Sequence, residues 1–408
     1  MSLASTLPLE LVHTILEADY LTTDSDPDRR LLRSCSLVCN AWSLPAQRLL
    51  FANVVLRSEH DFHAFCSALR QPSLANSVRT LRVILDYNQP QGLRQHHLAA
   101  AVALCPRLNS INLSVFGSDS HDSGNVEHGN ENSLDGGMII EELDSSRPGN
   151  GASKHRRSEL SLSLAETLNK SPITSFHLSN WSTSTFILPP LLASLPTLKY
   201  LSISGTPPAS APTASNPEHG LNLTHLRINF QQSPSVDALR WLLDNSKDTL
   251  TALDLERLSD SDASARLLDH LTTIHGPSLQ SLILPSCTTP SELKHFQRCT
   301  NLHSVAFRTP YVSPAVFKHF LAEVQPAPLK EMYVCIDRNT ALSPMIEFVR
   351  QKESLKTLVV YLWEADVRKK LRLWGSLKMA CALRGVELKV VERLSEYKAL
   401  IVCSFPLS

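Results

Sequence analysis

One short pattern, apolar-x-x-apolar-x-apolar, returns along most of this chain and constrains its fold more than any other feature. It recurs as Leu108/Ile111/Leu113, Ile173/Phe176/Leu178, Leu198/Leu201/Ile203, Leu223/Leu226/Ile228, Leu250/Leu253/Leu255, Leu279/Leu282/Leu284, Leu302/Val305/Phe307, Leu329/Met332/Val334 and Leu355/Leu358/Val360. From Leu198 to Leu355 the successive steps are 25, 27, 29, 23, 27 and 26 residues. Steps of that size mark one supersecondary unit stacked on the next. Within each copy the last two apolar positions are separated by one residue, the period of a short strand. Helix-like segments lie between the copies: Val236 to Asn245, Ser261 to His275, Pro290 to Cys299, Pro314 to Val324 and Pro344 to Gln351. Several open on a Ser-Pro or Thr-Pro step, where proline suits the first helical position.

A single strand-turn-helix unit cannot bury its own apolar face, whereas stacked units share one continuous core. The expectation is therefore an α/β fold, with strands in a parallel sheet and helices outside. About ten strands at ~4.8 Å spacing make a sheet roughly 45–50 Å across. Period and pattern resemble those of leucine-rich repeats, which implies a leucine-rich-repeat-like βα solenoid over residues 58–408. The copies are degenerate, and only Leu279-x-x-Leu282-x-Leu284-x-x-Cys287 carries a Cys where that family's pattern often has Asn or Cys. After a helix from Ala365 to Arg384, the strand Val386 to Val391 is expected to cap the stack. Two stretches fall outside the pattern, 117–158 and 205–220, and their Gly/Ser/Asn and Pro/Ala/Ser content predicts disordered loops. The first holds Met138-Ile139-Ile140-Glu141-Glu142, similar to a SUMO-interacting motif, and the basic run Lys154-His155-Arg156-Arg157.

Residues 1–57 read differently. In Leu7-Pro8-Leu9-Glu10-Leu11-Val12-His13-Thr14-Ile15-Leu16 the pairs Leu11/Ile15 and Val12/Leu16 stand one turn apart, as on a helix. Asp26-Pro27-Asp28 supplies the cap, N-terminal proline and first-turn acid of a second helix. Leu31, Cys35, Val38 and Trp42 then form one stripe, and Pro45 is expected to open a third helix. The leading Leu-Pro-x-Glu-Leu, the Ile-Leu one turn on and the closing Val38-Cys39-Asn40-Ala41-Trp42 resemble the F-box, with a longer loop from Leu21 to Asp28 than that family's compact pattern. The resemblance implies docking onto a Skp-type adaptor and through it a cullin, with Leu7, Pro8, Leu11, Ile15, Val38 and Trp42 in the contact. The alternative is a plain helical cap whose apolar residues close off the solenoid.

Composition narrows the remaining classes. The 39 basic and 39 acidic residues cancel, so no overall field exists for nucleic acid or an anionic membrane, and neither is expected as a partner. No signal-like start or membrane-length apolar run is present, which points to the cytoplasm, with the nucleus as the alternative if Lys154–Arg157 serves as a signal. The nine cysteines lack paired short spacings and are expected as buried thiols; Cys35 and Cys39 as half a metal site is the alternative. No nucleophile elbow, phosphate loop, dinucleotide fingerprint, metalloprotease helix or calcium loop is found, and His96-His97 is expected as surface histidine. No enzyme activity and no cofactor is expected.

The residues flanking each central strand position point away from the core. They are Arg82, His177, Tyr200, His225, Arg227, Asp254, Glu331 and Tyr333, among small neighbours Ser110, Ser202, Ser281 and Ser304. Their expected role is to hold a partner protein on an open sheet face. The chain then reads as the substrate-recognition subunit of a cullin-based ubiquitin ligase. A repeat scaffold or inhibitor with no ligase role is the rival reading.

Overall fold

Nine apolar triplets become nine strands of one parallel sheet. The computed structural model describes residues 7–18, 28–117, 161–182, 187–208, 221–231, 236–257, 262–285, 296–310, 313–364 and 371–403. The loops expected at 117–158 and 205–220, with both short motifs of the first, lie almost wholly outside the described residues, as does the turn from Leu21 to Asp28.

Three helices lead: α1 (Leu9–Ala18), α2 (Arg29–Ser36) and α3 (Asn40–Ala52). Strand β1 (Asn53–Leu56) follows directly, then α4 (Glu59–Ala68), the single turn α5 (Pro72–Ala75), β2 (Thr80–Asp86), α6 (Gln95–Ala103), β3 (Ser110–Gly117), α7 (Leu162–Asn169) and β4 (Ser175–Ser182). Next come α8 (Leu188–Ala193), β5 (Tyr200–Gly205), β6 (His225–Phe230), α9 (Val236–Leu243), β7 (Ala252–Leu255), α10 (Asp262–His275) and β8 (Ser281–Leu284). The chain closes with β9 (Ser304–Pro310), α11 (Pro314–Glu323), β10 (Glu331–Ile336), α12 (Ser343–Gln351), β11 (Thr357–Leu362), α13 (Trp374–Arg384), β12 (Glu387–Val391) and α14 (Leu394–Cys403).

The twelve strands lie side by side in chain order, each parallel to the next. The register keeps the apolar positions in step: Leu81, Ile111, Phe176, Leu201, Leu226, Leu253, Leu282, Val305, Met332, Leu358 and Leu388 form one row across eleven strands. A slip of one residue would send such a row to the other face, so burial of the row fixes the register. The sheet is wider than the ten copies expected, because β1 and β12 also pair. At ~4.8 Å per strand it spans ~53 Å. Gly205, at φ +89°, lets β5 close on β4, since a Cβ there would sit 2.0 Å from the Asn180 carbonyl oxygen.

Local signals place most helices. The Asp28 carboxylate caps α2 by accepting from the Arg30 and Leu31 N–H groups, so the cap is one turn-residue pair later than Asp26. Ser313 caps α11 with Pro314 at its first position, as the sequence predicts. Pro45 instead lies inside α3, which starts at Asn40. α2 stops at Ser36, so the stripe through Leu31, Cys35, Val38 and Trp42 is not one helix. Of Pro290 to Cys299 only 296–299 is described, with the short turn Phe296–Arg298.

Three apolar clusters result. The main core runs between the sheet and its helices from Leu56 to Val386. A small one, Val12, Leu16, Leu32, Cys35 and Ala46, belongs to α1–α3 alone. The third lies on the opposite face of the sheet and was not foreseen: Ile283, Ala306, Tyr333, Cys335, Val359, Tyr361 and Val391 pack against Tyr397 and Ile401 of α14. The stack therefore does not end on β12, because α14 folds back over the second face of the last strands. The Tyr397 hydroxyl donates to the Phe307 carbonyl at 2.7 Å, and its ring stacks on Tyr361 at 5.1 Å.

Candidate functional site

Two surfaces carry the residues singled out by sequence. The first is on α1–α3. Val12 and Leu16 turn inward to the small cluster, and Leu7 and Trp42 lean on it half-buried. The other members of the set face solvent: Pro8 is exposed, Leu11 is 51% exposed, Ile15 42% and Val38 50%. Leu9 and Leu37, outside the set, add to them at 52% and 86%. Cys35 is buried and Cys39 half-buried. Among the described residues no group of three or more His, Cys, Asp or Glu could hold a metal ion.

The second surface is the face of the sheet away from the helices. Arg82 is exposed there, and His177, Tyr200, His225 and Arg227 are half-buried. His177, Tyr200 and His225 form a ladder, with ring centroids 4.9 and 6.0 Å apart. Burial, and then the charge of Arg227, pushes the His177 imidazole down to about 4. Burial likewise lowers His225 and raises the Tyr200 hydroxyl. All three rings are therefore neutral donors and acceptors at neutral pH.

Asp254 and Tyr333 do not stand on an open face. Asp254 is 5% exposed, because Arg308, at the end of β9 two strands away, reaches back over β8 to grip both its oxygens at 2.6 and 3.3 Å. Arg227 adds a contact to Asp254 at 3.4 Å and bonds Glu256 at 2.7 Å, so two cations and two carboxylates close on one another. Burial raises the Asp254 carboxyl while Arg308 and Arg227 oppose it; the bidentate geometry is that of a carboxylate. At Glu256 burial also raises the carboxyl, but the Arg227 hydrogen bond and charge outweigh it and the net shift is downward. Tyr333 is 6% exposed, packed in the cluster under α14, with its hydroxyl donating to Glu331 at 3.0 Å. Strand alternation put both on the second face correctly. What it could not show is that α14 covers this face along a strip through Ile283, Ala306, Tyr333 and Val359.

Arg308 is the residue that sequence reading missed. Its signal was present: it follows Phe307 by one position, on the same alternation that selected Arg227 and Asp254. Trp181 lies within β4 and is 46% exposed. His97, expected at the surface, is 8% exposed and packs on Phe62 at 4.8 Å, while its Nδ1 accepts from the Arg94 N–H.

No helix among the described residues is long and apolar enough to cross a membrane. Comparison with known proteins gives no family-model match, and no curated protein matches the chain.

Proposed function

We propose that this chain is a non-catalytic substrate receptor of a cullin-based ubiquitin ligase, with α1–α3 an F-box that docks a Skp-type adaptor and the strand-helix stack a leucine-rich-repeat-like solenoid that holds the target. One observation carries the reading. If the leading helices only closed off the stack, their apolar side chains would be buried against it; instead Leu11, Ile15 and Val38 are half-exposed around a module that has its own small core. Leu11 and Ile15 stand one turn apart on α1 and Val38 between α2 and α3, and exposed apolar groups gathered on one small module are the mark of a protein-binding surface. The target surface in this reading is the uncovered part of the second face, from Arg82 to Arg227, where rings and a forked cation stand among serines. Tyrosine and arginine are favoured at protein-binding hot spots.

The test is co-precipitation of the adaptor and cullin from cells by the full chain, beside a Leu7→Ala/Pro8→Ala variant. Loss of both in the variant, with unchanged circular dichroism, supports the reading. Equal recovery from the two forms refutes docking through α1. Targets captured without any adaptor would favour a scaffold with no ligase role.

A further inference from the structure

The second face contains a gap that its residue order builds. The register aligns Tyr200, His225, Ala252, Ser281, Ser304 and Glu331 at the start of six neighbouring strands. Three small side chains therefore lie between large ones, and the floor drops between His225 and Glu331, four strand spacings or ~19 Å apart. A cavity of ≈ 270 Å³ occupies that gap, rimmed by Gln280, His303 and Lys330 from the residues just before their strands.

The chemistry of the notch is uneven. The Ser281 hydroxyl on its floor is buried, with the residue 7% exposed, and has no hydrogen-bond partner. A buried hydroxyl without a partner is costly, and a donor in that position calls for an acceptor. Lys330 has no ion pair among the described residues, whereas Arg227 and Arg308 deeper on the face are closed on Asp254 and Glu256. The one carboxylate at the rim, Glu331, accepts from the Tyr333 hydroxyl at 3.0 Å. Hydroxyls, imidazoles and one ammonium without an ion pair among the described residues thus line a small hollow of mixed polar and apolar wall, and its donors suit an oxyanion.

We propose that this notch seats the anionic side chain of a bound protein, a carboxylate or a phosphate, with Ser281 donating from the floor and Lys330 supplying the charge. The site rests on the reading of the second face as a partner surface, but its anion affinity is a property of the chain alone. Ser281→Ala removes one unpaired hydroxyl and Lys330→Gln one exposed charge, so both variants keep the fold.

The experiment titrates the full chain, labelled with ¹⁵N-histidine, with inorganic phosphate and separately with acetate, against sodium chloride at equal ionic strength and fixed pH. Imidazole signals of His225 and His303 are assigned by replacing each with Gln. Saturable shifts at both rings, at least fivefold weaker in affinity in Ser281→Ala and in Lys330→Gln, support the site. A response to phosphate alone identifies a phosphorylated side chain as the ligand; a response to both identifies a carboxylate as sufficient. Shifts no larger than with chloride, which would mean a notch filled by water only, overturn the proposal, as do shifts that survive both substitutions. Either result leaves adaptor docking untouched, since that is read on α1–α3.

Discussion

The two ends of the molecule treat exposed apolar surface in opposite ways. At the C-terminal end Ile283, Ala306, Tyr333, Cys335, Val359, Tyr361 and Val391 make an apolar strip on the second face, and α14 covers it, burying Tyr397 and Ile401 to 1% exposure. At the N-terminal end Leu11 and Ile15 on α1, and Leu37 and Val38 between α2 and α3, stay uncovered. One chain thus shows both cases: an apolar surface that it covers itself, and apolar side chains that it leaves exposed. The contrast teaches what separates the proposed docking module from a plain cap: a cap would bury its apolar side chains as α14 does, and Leu11, Ile15 and Val38 are not buried.

The contrast can be broken by substitution. Tyr397→Ala removes a buried ring and its bond to Phe307, and is expected to cost about 4 kcal/mol in urea unfolding; a loss under about 1 kcal/mol would mean that α14 does not close the face. Acid should act on the stack next. His275 is 1% exposed, and burial holds its imidazole down to about 4. Below an ordinary pKa near 6.5 the unfolded chain takes up a proton that the folded chain refuses, so stability is full above that pH. It falls as pH drops from about 6.5 to about 4, by on the order of 3 kcal/mol. Unfolding measured at pH 7.5 and 4.5 should show the decline, and His275→Asn should flatten it. Asp254→Asn leaves Arg308 facing a neutral amide and is expected to cost about 2 kcal/mol, with no change in adaptor capture. Smallest is the effect at the exposed end: Leu11→Ser, Ile15→Ser and Val38→Ser together should move stability by less than about 1 kcal/mol. A larger loss would show those side chains packed in the chain's own core.

Much of the stack was legible because its signal is repeated. Each triplet alone is a weak hint of a strand, but the eight from Ile173 onward, at similar spacing, agree on one parallel sheet, and the same alternation placed Tyr200, His225 and Arg227 on the second face. Closure of that face was hidden, since it depends on where Leu394 to Cys403 packs, and a single amphipathic segment does not name its partner. The burial of Asp254 was hidden for a related reason: Arg308 stands 54 positions away in the chain and meets it only through the register. At the N-terminal end the helices were legible from Asp28 and the four-residue apolar steps. Which side of α1 faces inward was not, because Leu11/Ile15 and Val12/Leu16 have the same spacing and only packing against Leu32 and Ala46 decides between them.

The central claim is that the uncovered end is a docking surface, and its most direct test is calorimetric titration of the purified full chain with a purified Skp-type adaptor. The expected result is a one-to-one complex for the wild type and no measurable heat for the Leu11→Ser/Ile15→Ser/Val38→Ser variant, whose melting temperature is unchanged. Absence of binding by the wild type, or equal binding by the variant, would contradict it.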